Sequence, residues 1–118
     1  MTAPFKMPPV RDSVTAKLAV GGLKVYATVG LREDGTPGEI FLKAAGQGSL
    51  ERGLLHSLAL MVSVALQNGV PLEKIVEKLA AISFEPSGRT NLSAIPMANS
   101  IVDLISKWLK NKFLKDSV

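Results

Sequence analysis

At 118 residues, with 47% hydrophobic and 20% charged residues, the chain has the length and composition of one globular domain that folds without staples. It has no cysteine and a single histidine, His56, which excludes disulfides, thiolate metal sites, thiol nucleophiles and histidine-rich catalytic arrays. The net charge of +4 gathers toward the end, in Lys107, Lys110, Lys112 and Lys115, and aromatic residues make up only 5%, too few for extended stacking of nucleic-acid bases.

Residues 1–12 carry three prolines and no hydrophobic period, so they read as an extended or disordered arm, with nothing resembling a secretory signal. The domain is expected over residues 13–114. From Ser13 to Val20 the apolar side chains Val14, Ala16, Leu18 and Val20 alternate, the period of a half-buried strand. Gly21 and Gly22 suit a two-residue hairpin turn. The next strand turns Leu23, Val25, Ala27 and Val29 inward and Lys24, Tyr26 and Thr28 outward. After the turn formers Asp34 to Gly38, a third strand over Glu39 to Ala44 places Ile40 and Leu42 on one side.

A helix is predicted from Ser49, read as its N-cap with Glu51 in the first turn, to about Asn68. Its apolar stripe (Leu50, Leu54, Leu58, Met61, Val62, Leu66) is widened by Leu55, Leu60 and Val64, which predicts a central helix. The apolar run Leu54 to Leu66 is shorter than the roughly 20 residues of a bilayer span, so no membrane association is expected and the cytoplasm is the expected compartment. Asn68 and Gly69 end that helix, and Pro71 opens a second one marked by Leu72, Ile75, Val76 and Leu79 and ending near Ile82. Residues Ser83 to Leu92 read as a turn-rich loop. A third helix, from about Ser93 or Met97 to Phe113, carries Ile101, Leu104, Ile105, Trp108 and Leu109 on one side, and 115–118 form a basic tail end. The expected fold is α+β: a three-stranded antiparallel meander followed by three helices packed on one face. A homo-oligomer is expected, because the other sheet face and the apolar third helix call for partners.

Three groups of residues are candidates for function. Lys43, Gly46, Gln47, Gly48 and Ser49 span a strand-to-helix junction, where glycines and free N–H groups suit a phosphate and equally suit a tight capped turn. Arg89, with Thr90 and Asn91 beside it, offers a guanidinium fork and further polar groups from a loop, or else is an ordinary solvated turn. Lys24, Tyr26 and Thr28 make a polar stripe that would serve as an interface or a ligand floor. His56 lacks a carboxylate or serine partner and reads as structural; Glu39, Glu85 and Asp103 read as caps and ion-pair partners. No metal-ligand set is seen. The lysines near the end suit a solvated helix terminus, at its negative dipole end, better than a phosphate backbone.

Five runs in unbroken order carry a resemblance: GEIFLK (Gly38 to Lys43), QGS (Gln47 to Ser49), ALQNGVPLEKIV (Ala65 to Val76), FEPSGRT (Phe84 to Thr90) and SIVD (Ser100 to Asp103). Across about Val10 to Leu109 the chain resembles the C-terminal, TSCPD-type domain of class II, adenosylcobalamin-dependent ribonucleotide reductases. The resemblance implies that the radical cysteine, substrate site and cobalamin site belong to other domains, and that the electron-relaying tail cysteines have no counterpart here. The chain is therefore expected to be no enzyme and to hold no cofactor. Asn91, Leu92 and Leu104 stand where the family pattern has acidic residues and an aromatic, which points to a loop and third helix reworked for another task. Three functions follow as expectations: a stand-alone relative that senses or sequesters a nucleotide or other phosphate-bearing small molecule, as a severed viral domain could; an accessory subunit docking on a separately encoded reductase or another protein; and, least favoured, nucleic-acid binding through the basic terminal helix.

Overall fold

The computed structural model describes residues 5–114. Its elements in chain order are β1 (Ser13–Val20), β2 (Leu23–Leu31), β3 (Pro37–Ala44), α1 (Ser49–Gln67), α2 (Leu72–Leu79), β4 (Gly88–Leu92), β5 (Ile95–Ala98) and α3 (Ile101–Phe113). The α+β reading holds. The meander forms as the alternation predicts, with Lys17 opposite Tyr26 and Tyr26 opposite Lys43. The β1–β2 turn takes positive φ at both Gly21 (55°) and Gly22 (86°).

The sheet is wider than the meander. Its order is β3-β2-β1-β4-β5, because the turn-rich stretch after α2 folds into a hairpin that joins β1. That hairpin has a weak sequence signal: β4 is the polar run Gly-Arg-Thr-Asn-Leu, and only Val20 pairs directly with Thr90. The Asn91 side chain supplies the rest of the seam. Its Oδ1 accepts from Ala19 N (2.9 Å), and its Nδ2 donates to Lys17 O (2.8 Å). Residues 95–98, expected to begin the third helix, are β5 instead. The helix waits for Ser100, whose Oγ accepts from the Asp103 N–H (3.0 Å).

The three helices pack as predicted, but their roles exchange. Helix α3 is the central one: Ile101, Asp103, Leu104, Ile105, Ser106, Trp108 and Leu109 are all buried. Helix α1 buries only Leu55, Ala59, Val62 and Leu66 against the core strands. Its start also differs, since Gly48 is the cap residue, no side chain caps the helix, and Ser49 is its first helical residue. Helix α2 ends at Leu79, short of Ile82, because Ala80 is extended and Ala81 takes φ 65°.

α1 has a second structural task. β3 is an edge strand, and an unpaired edge invites association. Ser63 of α1 bonds both the N–H and the C=O of Ile40 (2.9 and 3.1 Å), and Gln67 Nε2 donates to Gly38 O (3.0 Å). The helix thus engages free backbone groups of the strand at Gly38 and Ile40. By length and mean hydropathy α1 could cross a membrane, yet here its buried residues belong to the fold's core. Residues 5–12 run along the domain without helix or strand, held where Phe5 stacks under Arg32 (3.8 Å) and Arg11 pairs with Glu39 (2.6 Å).

Candidate functional site

The helices leave the opposite face of the sheet open. Alternation along the strands places on it Thr15, Lys17 and Ala19 of β1, Lys24, Tyr26 and Thr28 of β2, Glu39, Phe41 and Lys43 of β3, and Arg89 and Asn91 of β4. Cross-strand register orders these side chains into rows. One row is Lys17, Tyr26, Lys43; the next is Thr15, Thr28, Phe41, with the two threonine hydroxyls 2.9 Å apart. Tyr26 is 41% and Phe41 54% exposed, so two aromatic faces lie among lysines in water.

The electrostatics of this face are one-sided. Lys17, Lys24, Lys43 and Arg89 are exposed, and among the described residues none is in an ion pair. The five strands contain one carboxylate, Glu39, and Arg11 neutralises it through Nε at 2.6 Å. Cations in adjacent rows of a sheet attract a group carrying several negative charges, and an aromatic between them offers a surface on which a base stacks. Lys17 and Phe41 were missed in choosing candidates from the sequence. Strand alternation hinted at both, but only the register shows that they flank Tyr26 and Thr28.

The sequence-predicted sites are divided between two places. Lys43 and Arg89 join Lys24, Tyr26 and Thr28 on the open face, although Arg89 stands three strands over and about four residues along from Lys43, roughly 20 Å away. The Gly46–Ser49 turn lies at the start of α1, on the other side of the sheet. There Glu51 already serves the helix dipole, with its Oε1 3.1 Å from where a Gly48 side chain would start, and Arg52 Nη1 donates to Gln47 O. Gln47 lines a cleft of about 580 Å³ between the β1–β2 turn, α1 and the Phe84–Pro86 turn. Its floor is apolar (Leu23, Leu55, Leu58, Ile101), and its acids are Glu51 and Glu85, which repel phosphate. Glu85 is engaged by Ser87 through N (3.1 Å) and Oγ (3.0 Å).

Thr90 and Asn91 spend their polar groups on the hairpin. Thr90 Oγ donates to Ile95 O and accepts from Leu92 N (3.0 Å), while Asn91 bridges to β1. Of the loop candidates, Arg89 alone has an unengaged head group among the described residues. His56 is exposed on α1, outside the cleft.

The residues of the SIVD run prove structural. Asp103 is fully buried: Oδ1 accepts from Ala81 N (2.9 Å), and Oδ2 accepts from Asn99 N (2.8 Å) and Lys107 Nζ (3.0 Å). Burial raises its pKa, but those two N–H donors and the ammonium outweigh burial and hold it below the usual carboxylate value. Ser100 Oγ donates to Ile82 O, so the pair fastens the α2–β4 connection to α3.

The chain as a whole matches one known domain. The model of the TSCPD domain matches residues 2–113. The chain belongs to the TSCPD domain family. Curated relatives of this TSCPD domain are named vitamin B12-dependent ribonucleotide reductase. That of Rhodopirellula baltica is 42% identical over 109 residues, covering 92% of this chain and 10% of the relative. That of Streptomyces coelicolor is 41% identical over 109 residues, covering 92% and 11%. That of Agrobacterium fabrum is 39% identical over 110 residues, covering 92% and 9%. The TSCPD domain thus spans about a tenth of the length of these relatives. No solved structure matches it significantly. Vitamin B12, named for those relatives, does not fit the residues described: His56, the single imidazole that could reach a corrinoid's cobalt, stands in solvent on α1 outside the apolar cleft, and that cleft is rimmed by two carboxylates.

Proposed function

We propose that this TSCPD domain is a noncatalytic binding module whose open sheet face takes a phosphate-bearing ligand, a nucleotide being the chemistry that fits best. The observation that carries the reading is the row Lys17, Tyr26, Lys43: an exposed aromatic between two unpaired ammonium groups, on strands whose one carboxylate is neutralised. A base stacks on Tyr26 or Phe41 while phosphates lie along the lysines, and Arg89 extends the positive surface. The ribonucleotide chemistry in the relatives' name agrees with a nucleotide ligand. A module that holds such a ligand without transforming it would sense or sequester it, in the cytoplasm where nucleotides are available.

The test is calorimetric titration of ribonucleoside di- and triphosphates, with inorganic triphosphate as the baseless probe. Stacking on an aromatic is worth about 1–3 kcal/mol per base, so Tyr26→Ala should weaken nucleotide binding roughly five- to hundredfold and leave inorganic triphosphate nearly unchanged. Lys17→Ala and Lys43→Ala should weaken both ligands. Binding unaffected by all three substitutions, or abolished by Ser49→Ala, would move the site to the helix start. If no nucleotide binds wild type, docking on a separately encoded reductase replaces the present reading.

A further inference from the structure

Helix α1 carries a second apolar surface that the fold does not use. Its core residues Leu55, Ala59, Val62 and Leu66 fill one sector. On the side facing water stand Leu50 (69% exposed), Leu54 (62%), Leu60 (52%), Met61 (65%) and Val64 (51%), with Gly53 and Ser57 among them. The solvent side of an ordinary surface helix is charged, as α2 demonstrates with Glu73, Lys74, Glu77 and Lys78. In α1 the charged residues are Glu51 and Arg52 alone, both in the first turn and off this stripe.

The stripe has a heptad period. Leu50, Ser57 and Val64 recur at seven, as do Gly53 with Leu60 and Leu54 with Met61. A seven-residue seam is the pattern by which one helix packs along another, and α1 carries it on both sides: Leu55 with Val62 and Ala59 with Leu66 repeat it toward the core. The pattern is also nearly palindromic about Ser57. Against a reversed copy of itself, Leu50 meets Val64, Leu54 meets Leu60, and the long Met61 meets the gap at Gly53. A side chain built on Gly53 would touch nothing within 4 Å, so that gap is open. In the reversed arrangement the Glu51 and Arg52 pairs lie at opposite ends, so like charges never meet, and the two helix dipoles oppose favourably.

We propose that the solvent face of α1 is the interface of a homodimer in which two copies pack antiparallel about Ser57. The five apolar side chains leave roughly 500 Å² exposed per copy, so a pair buries on the order of 1,000 Å², enough for a specific interface of modest strength. This inference is independent of the nucleotide site, which lies on the far side of the sheet.

Sedimentation of the full chain at micromolar concentrations should give twice the 12.5 kDa mass of one copy. Met61→Glu should weaken association at least tenfold while the circular dichroism spectrum stays native, because Met61 contributes nothing to the core. The register is tested by mixing. Gly53→Lys and Met61→Glu chains should each be monomeric at concentrations where wild type pairs, and their equimolar mixture should recover the dimer, since position 53 of one copy faces position 61 of the other. A wild type that stays monomeric overturns the proposal, as does a dimer indifferent to Met61→Glu or a mixture that fails to pair. A monomer that instead adsorbs to phosphatidylcholine vesicles through this stripe would overturn it in favour of a lipid surface.

Discussion

Replacing Asp103 with Asn keeps the shape of the side chain but changes what it can accept. In the native structure Oδ1 takes the Ala81 N–H, and Oδ2 takes the Asn99 N–H and the Lys107 ammonium, the carboxylate itself having no solvent exposure. An amide presents one oxygen and one NH₂, so one of the two backbone N–H groups must face another donor. An orphaned buried donor costs about 1–3 kcal/mol, and the surviving bond loses its charge assistance, so about 3 kcal/mol in total is expected. For a domain of this size each kcal/mol moves the midpoint by about 4–8 °C, so thermal unfolding followed by circular dichroism should fall by roughly 15 °C. Lys107→Ala should cost at most about 1 kcal/mol, because that ammonium is 42% exposed and screened. The acid limb supplies a second readout. The folded pKa of Asp103 lies below the ordinary 3.8, so on acidification the unfolded chain takes up the proton first. Its stabilisation is therefore complete above the ordinary value and is lost as the pH falls from there through the folded value. Asp103→Asn should flatten that loss. A variant melting within a few degrees of wild type with the acid limb unchanged would refute the network as described.

Gly21→Ala should destabilise more than Gly22→Ala: both positions have positive φ, but a methyl on Gly21 would lie 2.6 Å from Pro86 Cβ while one on Gly22 meets nothing within 4 Å, a contrast readable in urea midpoints. Asn91→Ala removes both side-chain bonds that stitch β4 to β1 and should cost about 1–2 kcal/mol, with faster hydrogen exchange at Ala19, whose N–H loses its acceptor. Affinity for inorganic triphosphate should fall steeply with added salt, because the cations of the open face are solvated and screened, and the fall should be shallower for Lys17→Ala combined with Lys43→Ala.

The meander was legible because each of its signals is local and strong: strict alternation in β1 and β2, and a Gly-Gly turn whose φ values admit little else. The β4–β5 hairpin was not, because its seam depends on a side chain, Asn91, reaching backbone groups of Lys17 and Ala19 more than seventy residues earlier. Composition gave the same stretch to a loop, and polar alternation over five residues does not overrule turn formers. The candidate site was legible residue by residue but not as a set. Lys24, Tyr26, Thr28 and Lys43 were singled out from their own strands, yet only the register makes Lys17 and Phe41 their neighbours. Conversely, Glu51 was legible in the first turn of α1, but only the structure sets its Oε1 3.1 Å from where a Gly48 side chain would start, beside the turn that reads as a phosphate loop.

The misreading of α1 as central has a physical cause that bears on function. A helix apolar on nearly every side reads as a core helix, and hydrophobicity does not say whether the second face is met by the same chain or by another. The strands and α3 supply most of the core, with Leu18, Val25, Val29 and Leu104 fully buried, and α1 closes it over β3 with four buried residues, fewer than its apolar side chains number. The surplus on α1 therefore points outward, while the cations collect on the opposite side of the sheet. A domain so built can pair through its helices and still present two positive sheet faces to solvent. Pairing would then raise the effective concentration for a ligand bearing two phosphorylated groups without altering either site. Accordingly, Met61→Glu should leave the affinity for a mononucleotide unchanged and weaken only binding of ligands long enough to bridge both faces.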